Sequence, residues 1–154
     1  MMRDRRMLVI IVVALLAPAV ARAAASSCTV TSYNLAFGNY DMMNPVPTIV
    51  TGANLIVVKC SHGAGTMTVD LSTGGNGTYF PRAMRFGTNV LTYNLYTTAG
   101  LTTVWGNGSG GTGNIVRSYN NNSSNVFSVY GKIPAQQNLS AGNYSDSINI
   151  TVSF

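Results

Sequence analysis

The sequence predicts an all-β sandwich, on three observations. Helix formers are scarce: the four acidic residues are all aspartate, and Gly, Asn, Ser, Thr and Tyr dominate the chain beyond its first two dozen residues. Apolar and polar residues alternate at period two in several short runs, most plainly at the C-terminus. Turn signals rich in Gly, Asn, Ser and Pro separate these runs roughly every ten residues.

The N-terminal stretch stands apart from that pattern. Arg3, Arg5 and Arg6 form a basic region, Leu8 to Ala17 an apolar one, and Ala21-Arg22-Ala23 a small-x-small cleavage site. That is the layout of a secretory signal peptide. The apolar run is shorter than the roughly 20 residues needed to span a bilayer and is closed by Pro18, so no stable membrane insertion is expected. Residues 1–23 are assigned to the signal, with cleavage after residue 25 as the alternative, and residues 24–154 to one domain. Cleavage removes four of the nine basic residues and one of the four acids. Lys59, Arg82, Arg85, Arg117 and Lys132 then face Asp41, Asp70 and Asp146, so the formal charge of +5 belongs largely to the discarded segment. Nucleic-acid binding loses its compositional support with it.

Cys28 and Cys60 are the only cysteines. In an exported chain an even count reads as a disulfide, and closing a loop of about 30 residues stabilises by roughly 3–4 kcal/mol. Lipidation of Cys28 is the competing reading. Ala25-Ser26-Ser27 lacks the leucine of a lipoprotein signal, however, and lipidation would leave Cys60 as an odd thiol.

The elements follow in order. Cys28 to Tyr40 reads as one strand with a bulge, because Cys28 and Val30 share a face and the apolar parity shifts after Ser32 to Tyr33, Leu35 and Phe37. Asp41 to Pro47 is a loop, since Pro45 and Pro47 cannot sit in a central strand. Thr48 to Cys60 is the most hydrophobic run, with Ile56, Val58 and Cys60 on the core face. After the turn Ser61 to Gly65, Met67, Val69 and Leu71 point inward. Ser72 to Thr78 is a hairpin-type loop. Tyr79 to Phe86 carries two arginines among aromatics. Val90 to Tyr96 is a strand with Leu91, Tyr93 and Leu95 on one side. Trp105 precedes a glycine-rich loop, Ile115 to Tyr119 is a short edge strand, and Val126 to Ile133 is a strand closed by Pro134.

The final run begins at Tyr144. Ile148, Ile150, Val152 and Phe154 fall on one face, and Ser147, Asn149, Thr151 and Ser153 on the other. Ending on an aromatic residue, this strand is expected to lie inside the fold or against a partner. Six or seven strands at this spacing make an immunoglobulin-like sandwich. Tyr144 and Asp146, in Gly142-x-Tyr144-x-Asp146, fit a tyrosine corner at the head of a late strand.

Chemistry-bearing patterns are weak. Gly108 to Gly113 fits G-x-G-x-x-G, but no helix follows it and no acid lies between Asp70 and Asp146, so it reads as a loop. His62 sits in a polar turn, and nothing marks a nucleophile beside it. The three aspartates are scattered, which argues against a metal site, a cofactor or a glycosidase pair. Arg82 and Arg85 with Tyr79, Phe80 and Phe86 are placed to stack on a sugar, although stems packed along a strand edge are favoured. No catalytic residue is assigned, and the chain is read as a non-enzyme.

The order of blocks resembles a family. A Cys near the mature N-terminus is followed by a second at the end of the next hydrophobic strand. Then come R-x-M-R at Arg82 to Arg85, L-x-Y-x-L-Y at Leu91 to Tyr96, and W-G at Trp105. V-Y-G-K-I-P-A-Q-Q at Val129 to Gln137 and the final G-N-Y-S-D-S-I-N-I-T-V-S-F complete it. Together they resemble the spore coat protein U domain, shared with subunits of archaic (Csu-type) chaperone–usher pili, from Cys28 to Phe154. The resemblance implies a six-stranded immunoglobulin-like fold lacking its seventh strand. That strand would come first from a periplasmic chaperone and then from a neighbouring pilin-like subunit, with an outer-membrane usher as a further partner. Ile148, Ile150, Val152 and Phe154 would form the donor-strand and chaperone interface, accepting an extended peptide by β-augmentation.

The implied location is the periplasm after Sec export, then the surface of a Gram-negative cell or the medium. The alternative function is a self-contained secreted module that binds carbohydrate or protein. One expectation concerns giving a strand. The four residues from Ala24 to Ser27 reach about 13 Å, against roughly 20 Å for a groove-filling strand. The chain is therefore expected to accept a donor strand without donating one, and to end a polymer or act singly.

Overall fold

The computed structural model describes residues 26–154, and the signal segment, its cleavage point and the stretch ahead of Ser26 lie outside the described residues. The strands are β1 (Ser27–Ser32), β2 (Thr48–Ser61), β3 (Gly65–Leu71), β4 (Arg82–Phe86), β5 (Asn89–Tyr96), β6 (Ile115–Tyr119), β7 (Ser124–Ile133) and β8 (Ile150–Ser153). They form a five-stranded sheet in the order β1-β2-β7-β5-β4 and a three-stranded sheet in the order β6-β3-β8. Every named pairing is antiparallel. The fold is all-β, an immunoglobulin-like sandwich. Its count exceeds the six or seven expected because β4, read as a strand edge but not counted among the strands, pairs fully with β5 from Arg82↔Tyr93 to Phe86↔Asn89.

The core follows from the period-two pattern. Ile56, Val58 and Cys60 on β2, Met67, Val69 and Leu71 on β3, and Leu91, Tyr93 and Leu95 on β5 are at most 5% exposed. Phe127, Val129 and Ile133 on β7 join them. Each such side chain contributes about 1.5–3 kcal/mol by leaving water. Trp105 is fully buried between the sheets, and its indole N–H donates to the Val69 carbonyl at 2.9 Å. A buried indole needs such an acceptor.

Two local expectations change. The bend after Ser32 is present: the β1–β2 ladder ends at Ser32↔Ile56, and the Tyr33 amide donates to the Leu55 carbonyl at 2.9 Å. Beyond it Leu35 and Phe37 pack on the core, whereas Tyr33, expected on their face, is 62% exposed. At the other end, the regular strand is only Ile150–Ser153, not the whole run from Tyr144. Residues 144–149 are crossing between sheets, so they cannot keep one continuous ladder.

Cys28 and Cys60 are direct cross-strand partners in β1 and β2, joined by a disulfide 32 positions apart. The bridge staples the first strand to the sheet edge, within one sheet. Mass spectrometry of the exported chain should show a gain of two hydrogens on reduction. The Cys60→Ala variant should lose about 3 kcal/mol of stability in denaturant titration; an unchanged midpoint would show that the β1 ladder holds without it.

Candidate functional site

The core is open along one side. Two adjoining cavities of about 490 and 620 Å³ share Leu35, Phe37, Met84 and Tyr144. One wall is the extended stretch after β1, and the opposite wall is the final segment from Leu139 to Ile150. The floor is core: Ile56, Leu71, Tyr93, Leu95 and Val129 in the first cavity, Leu91 and Ile133 in the second.

Both walls carry unpaired backbone. From residue 34 to residue 39 no backbone hydrogen bond forms among the described residues. This wall is held by its side chains and its ends. Phe37 lies edge-on to Tyr93, with ring centroids 5.7 Å apart. It rests on Gly131, where an added Cβ would come within 2.6 Å of the Phe37 ring. Tyr40 pins the far end, its hydroxyl donating to the Pro134 carbonyl at 3.0 Å and accepting from the Gln137 amide at 2.7 Å. The other wall ends in β8, whose neighbour is β3 alone, so its groove-side edge has no ladder partner among the described residues. Free strand edges of this kind are templates for further pairing.

Of the residues singled out in the sequence, Val152 and Phe154 line neither cavity. Ile148, Ile150 and Val152 are half-buried and pack on the core, and Ile148 and Ile150 line the first cavity. Phe154 is 54% exposed and meets Tyr119 edge-on at 6.5 Å. The Tyr144 hydroxyl donates to the Ser140 carbonyl at 2.9 Å. Asp146 takes no part in that bond. Its Oδ2 accepts from the Tyr93 hydroxyl at 2.6 Å and its Oδ1 from the Gly75 amide at 2.8 Å. Burial, reinforced by this carboxylate, pushes the Tyr93 phenol well above its ordinary pKa.

A family model, the Spore Coat Protein U domain, matches residues 14–151. The chain belongs to that family. No curated protein matches it. Among solved structures, this Spore Coat Protein U domain is similar to a chain in the crystal structure of the CsuC–CsuE chaperone–tip adhesion subunit pre-assembly complex, from archaic chaperone–usher Csu pili of Acinetobacter baumannii. Identity is 22% and the TM-score 0.56, over 84% of this chain and 40% of that one. The likeness is one of fold, and the domain spans well under half the length of the solved chain.

The arginine pair of the Spore Coat Protein U domain divides. Arg85 is exposed and donates to Asn76 Oδ1 at 3.1 Å. Arg82 is fully buried. It donates to the Ser72 carbonyl from Nε at 2.9 Å and from NH2 at 2.7 Å. It also reaches the Trp105 carbonyl at 2.6 Å and Asn94 Oδ1 at 3.1 Å. Burial lowers its pKa. A guanidinium so occupied is unavailable to a sugar, so the stacking reading fails for Arg82, although it does lie 5.0 Å over the Tyr79 ring. The reading missed this hub because its acceptors are backbone carbonyls, which leave no mark in the sequence.

The remaining polar candidates sit apart from the groove. His62 is exposed, with Nδ1 3.1 Å from Ser61 Oγ. Thr112 closes the Gly108–Gly113 loop on itself, its hydroxyl donating to the Ser109 carbonyl at 2.7 Å. Replacing Arg82 by Met should cost about 3 kcal/mol, because the Ser72 and Trp105 carbonyls would keep their burial and lose their donor. Denaturant titration measures this, and a neutral result would assign Arg82 to stem packing alone.

Proposed function

We propose that this Spore Coat Protein U domain is an exported structural subunit of a surface pilus or coat, with no enzymatic role, completed by a strand from another chain. One observation carries the reading: a hydrophobic core left open as a groove between two extended segments whose backbones face it unpaired. A self-contained binding module would close its own core. An extended peptide laid in this groove would meet hydrogen-bonding groups along β8 and, on the other side, along residues 34–39. Its alternate side chains would fall on the apolar floor.

The same reading supplies the partners. A periplasmic chaperone supplies the strand while the subunit is in transit, and a neighbouring subunit supplies it after passage through an outer-membrane usher. Ile148, Ile150, Val152 and Phe154 serve as the apolar face of the accepting strand. The family match and the likeness to a chaperone-complex structure support this assignment. The location proposed is the periplasm and then the cell surface.

Ile150 and Val152 turn toward the core, while Asn149 is exposed on the other face. Ile150→Asp or Val152→Asp should abolish periplasmic accumulation and chaperone co-purification, because an unpaired charge would enter the groove wall. Asn149→Asp should leave both nearly unchanged. Equal losses from all three would assign the wrong face to the groove, and a stable, monomeric Val152→Asp chain would overturn the reading.

A further inference from the structure

Between Ser145 and Asn149 the final segment leaves one sheet and joins the other. Ser145 exchanges both backbone bonds with Arg85 on the edge of the five-stranded sheet, at 2.9 and 3.2 Å. Asn149 does the same job at the end of β3: its carbonyl accepts the Ser72 amide at 3.0 Å and its amide donates to Ser72 Oγ at 2.9 Å. Across the gap no ladder is possible, because the neighbouring strand changes. The Asp146 carboxylate fills it. Oδ1 accepts the amides of Gly75 and Ser147, both at 2.8 Å, and Oδ2 accepts the Tyr93 hydroxyl at 2.6 Å.

Those donors come from three places: the β3–β4 loop, β5 and the final segment itself. Gly74, with φ +74°, lets the loop come up against the carboxylate, where any Cβ would overlap it. The loop is itself fixed, since the Ser72 carbonyl takes two bonds from buried Arg82. On the same face of that stretch, Ile148 lines the cavity beside Asp146 and makes no backbone hydrogen bond among the described residues.

We propose that Asp146 is a positioning residue, a latch that holds the groove wall in place through Gly75 and, on the groove floor, through Tyr93 before any strand enters. The purpose of the latch rests on the proposed reading of the groove as a strand acceptor. Bonds to a carboxylate are shorter and stronger than neutral ones, so one side chain can replace a missing stretch of ladder. A wall already in its bound shape spares an incoming strand the cost of ordering it.

Hydrogen exchange on the full exported chain, as recovered from the periplasm, reads this directly. In Asp146→Ala, amides from Ser147 to Ser153 should exchange at least about tenfold faster, while those of Ile56–Cys60 and Phe127–Val129 keep wild-type rates. Tyr93→Phe retains the ring and the carboxylate and removes one bond, so it should accelerate the same amides a few-fold. If Asp146→Ala does not accumulate, Tyr93→Phe decides alone. Uniform acceleration through β2, β5 and β7, or none at Ser147–Ser153, would overturn the latch. The measurement needs no fibre, so failure of partner capture alongside this local pattern would count against the pilus reading alone.

Discussion

The last segment of the chain serves both sheets while only one of its edges is paired. Everything distinctive about the molecule descends from that constraint. Ser145 belongs to the edge of the five-stranded sheet and Ile150 to the three-stranded one, so the segment between them forms a seam across the open side of the core. With β8 paired to β3 alone, the sandwich has a wall there and, among the described residues, no closing strand. The stretch from residue 34 to residue 39 stands opposite with its backbone equally free. Leu35 and Phe37 drop from it onto the core, which covers part of the floor without completing a ladder.

The seam is held by charged groups in a chain that has few. Arg82 gathers the carbonyls of Ser72 and Trp105, and Ser72 in turn grips Asn149. Burying a guanidinium without a carboxylate on it is tolerable only because its donors are met by fixed acceptors. Asp146, a short distance along the seam, is met by an amide and a phenol from two other elements. These two charged groups stay separate hubs: one fixes the β3–β4 loop, and the other fixes the final segment to it. The arrangement gives the open side of the domain a rigid rim even where it lacks a hydrogen-bonded sheet.

The strands of the interior were legible in the sequence, and the reason is their period. Met67, Val69 and Leu71, or Leu91, Tyr93 and Leu95, alternate so regularly that only one face can be the core. β4 was read only as a strand edge with packed stems, and the full burial of Arg82 was missed because an arginine in a strand reads as solvent-facing until its acceptors are seen. The inward face of Ile148, Ile150 and Val152 was legible for the same reason as the core strands. Asp146 was noticed for its position beside Tyr144, yet its partners Gly75 and Tyr93 lie 71 and 53 positions away. No local pattern records contacts at that range. The crossing between sheets was hidden too, since Tyr144 to Asn149 alternates like the strand it leads into.

The energetics of the open groove tie stability to partnership. A strand placing three or four apolar side chains on this floor would remove them and their neighbours from water, at about 1.5–3 kcal/mol each. Even after the cost of ordering the strand, that gain is of the same order as the whole stability of an ordinary domain, about 5–15 kcal/mol. A chain built this way has no large reserve to spend on remaining alone, and whatever binds the groove stabilises the folded state by mass action. The disulfide between Cys28 and Cys60 acts at the opposite end of the β1 stretch, fixing the strand whose continuation forms the free wall. The wall can then wait, extended and unpaired, without the first strand peeling from the sheet.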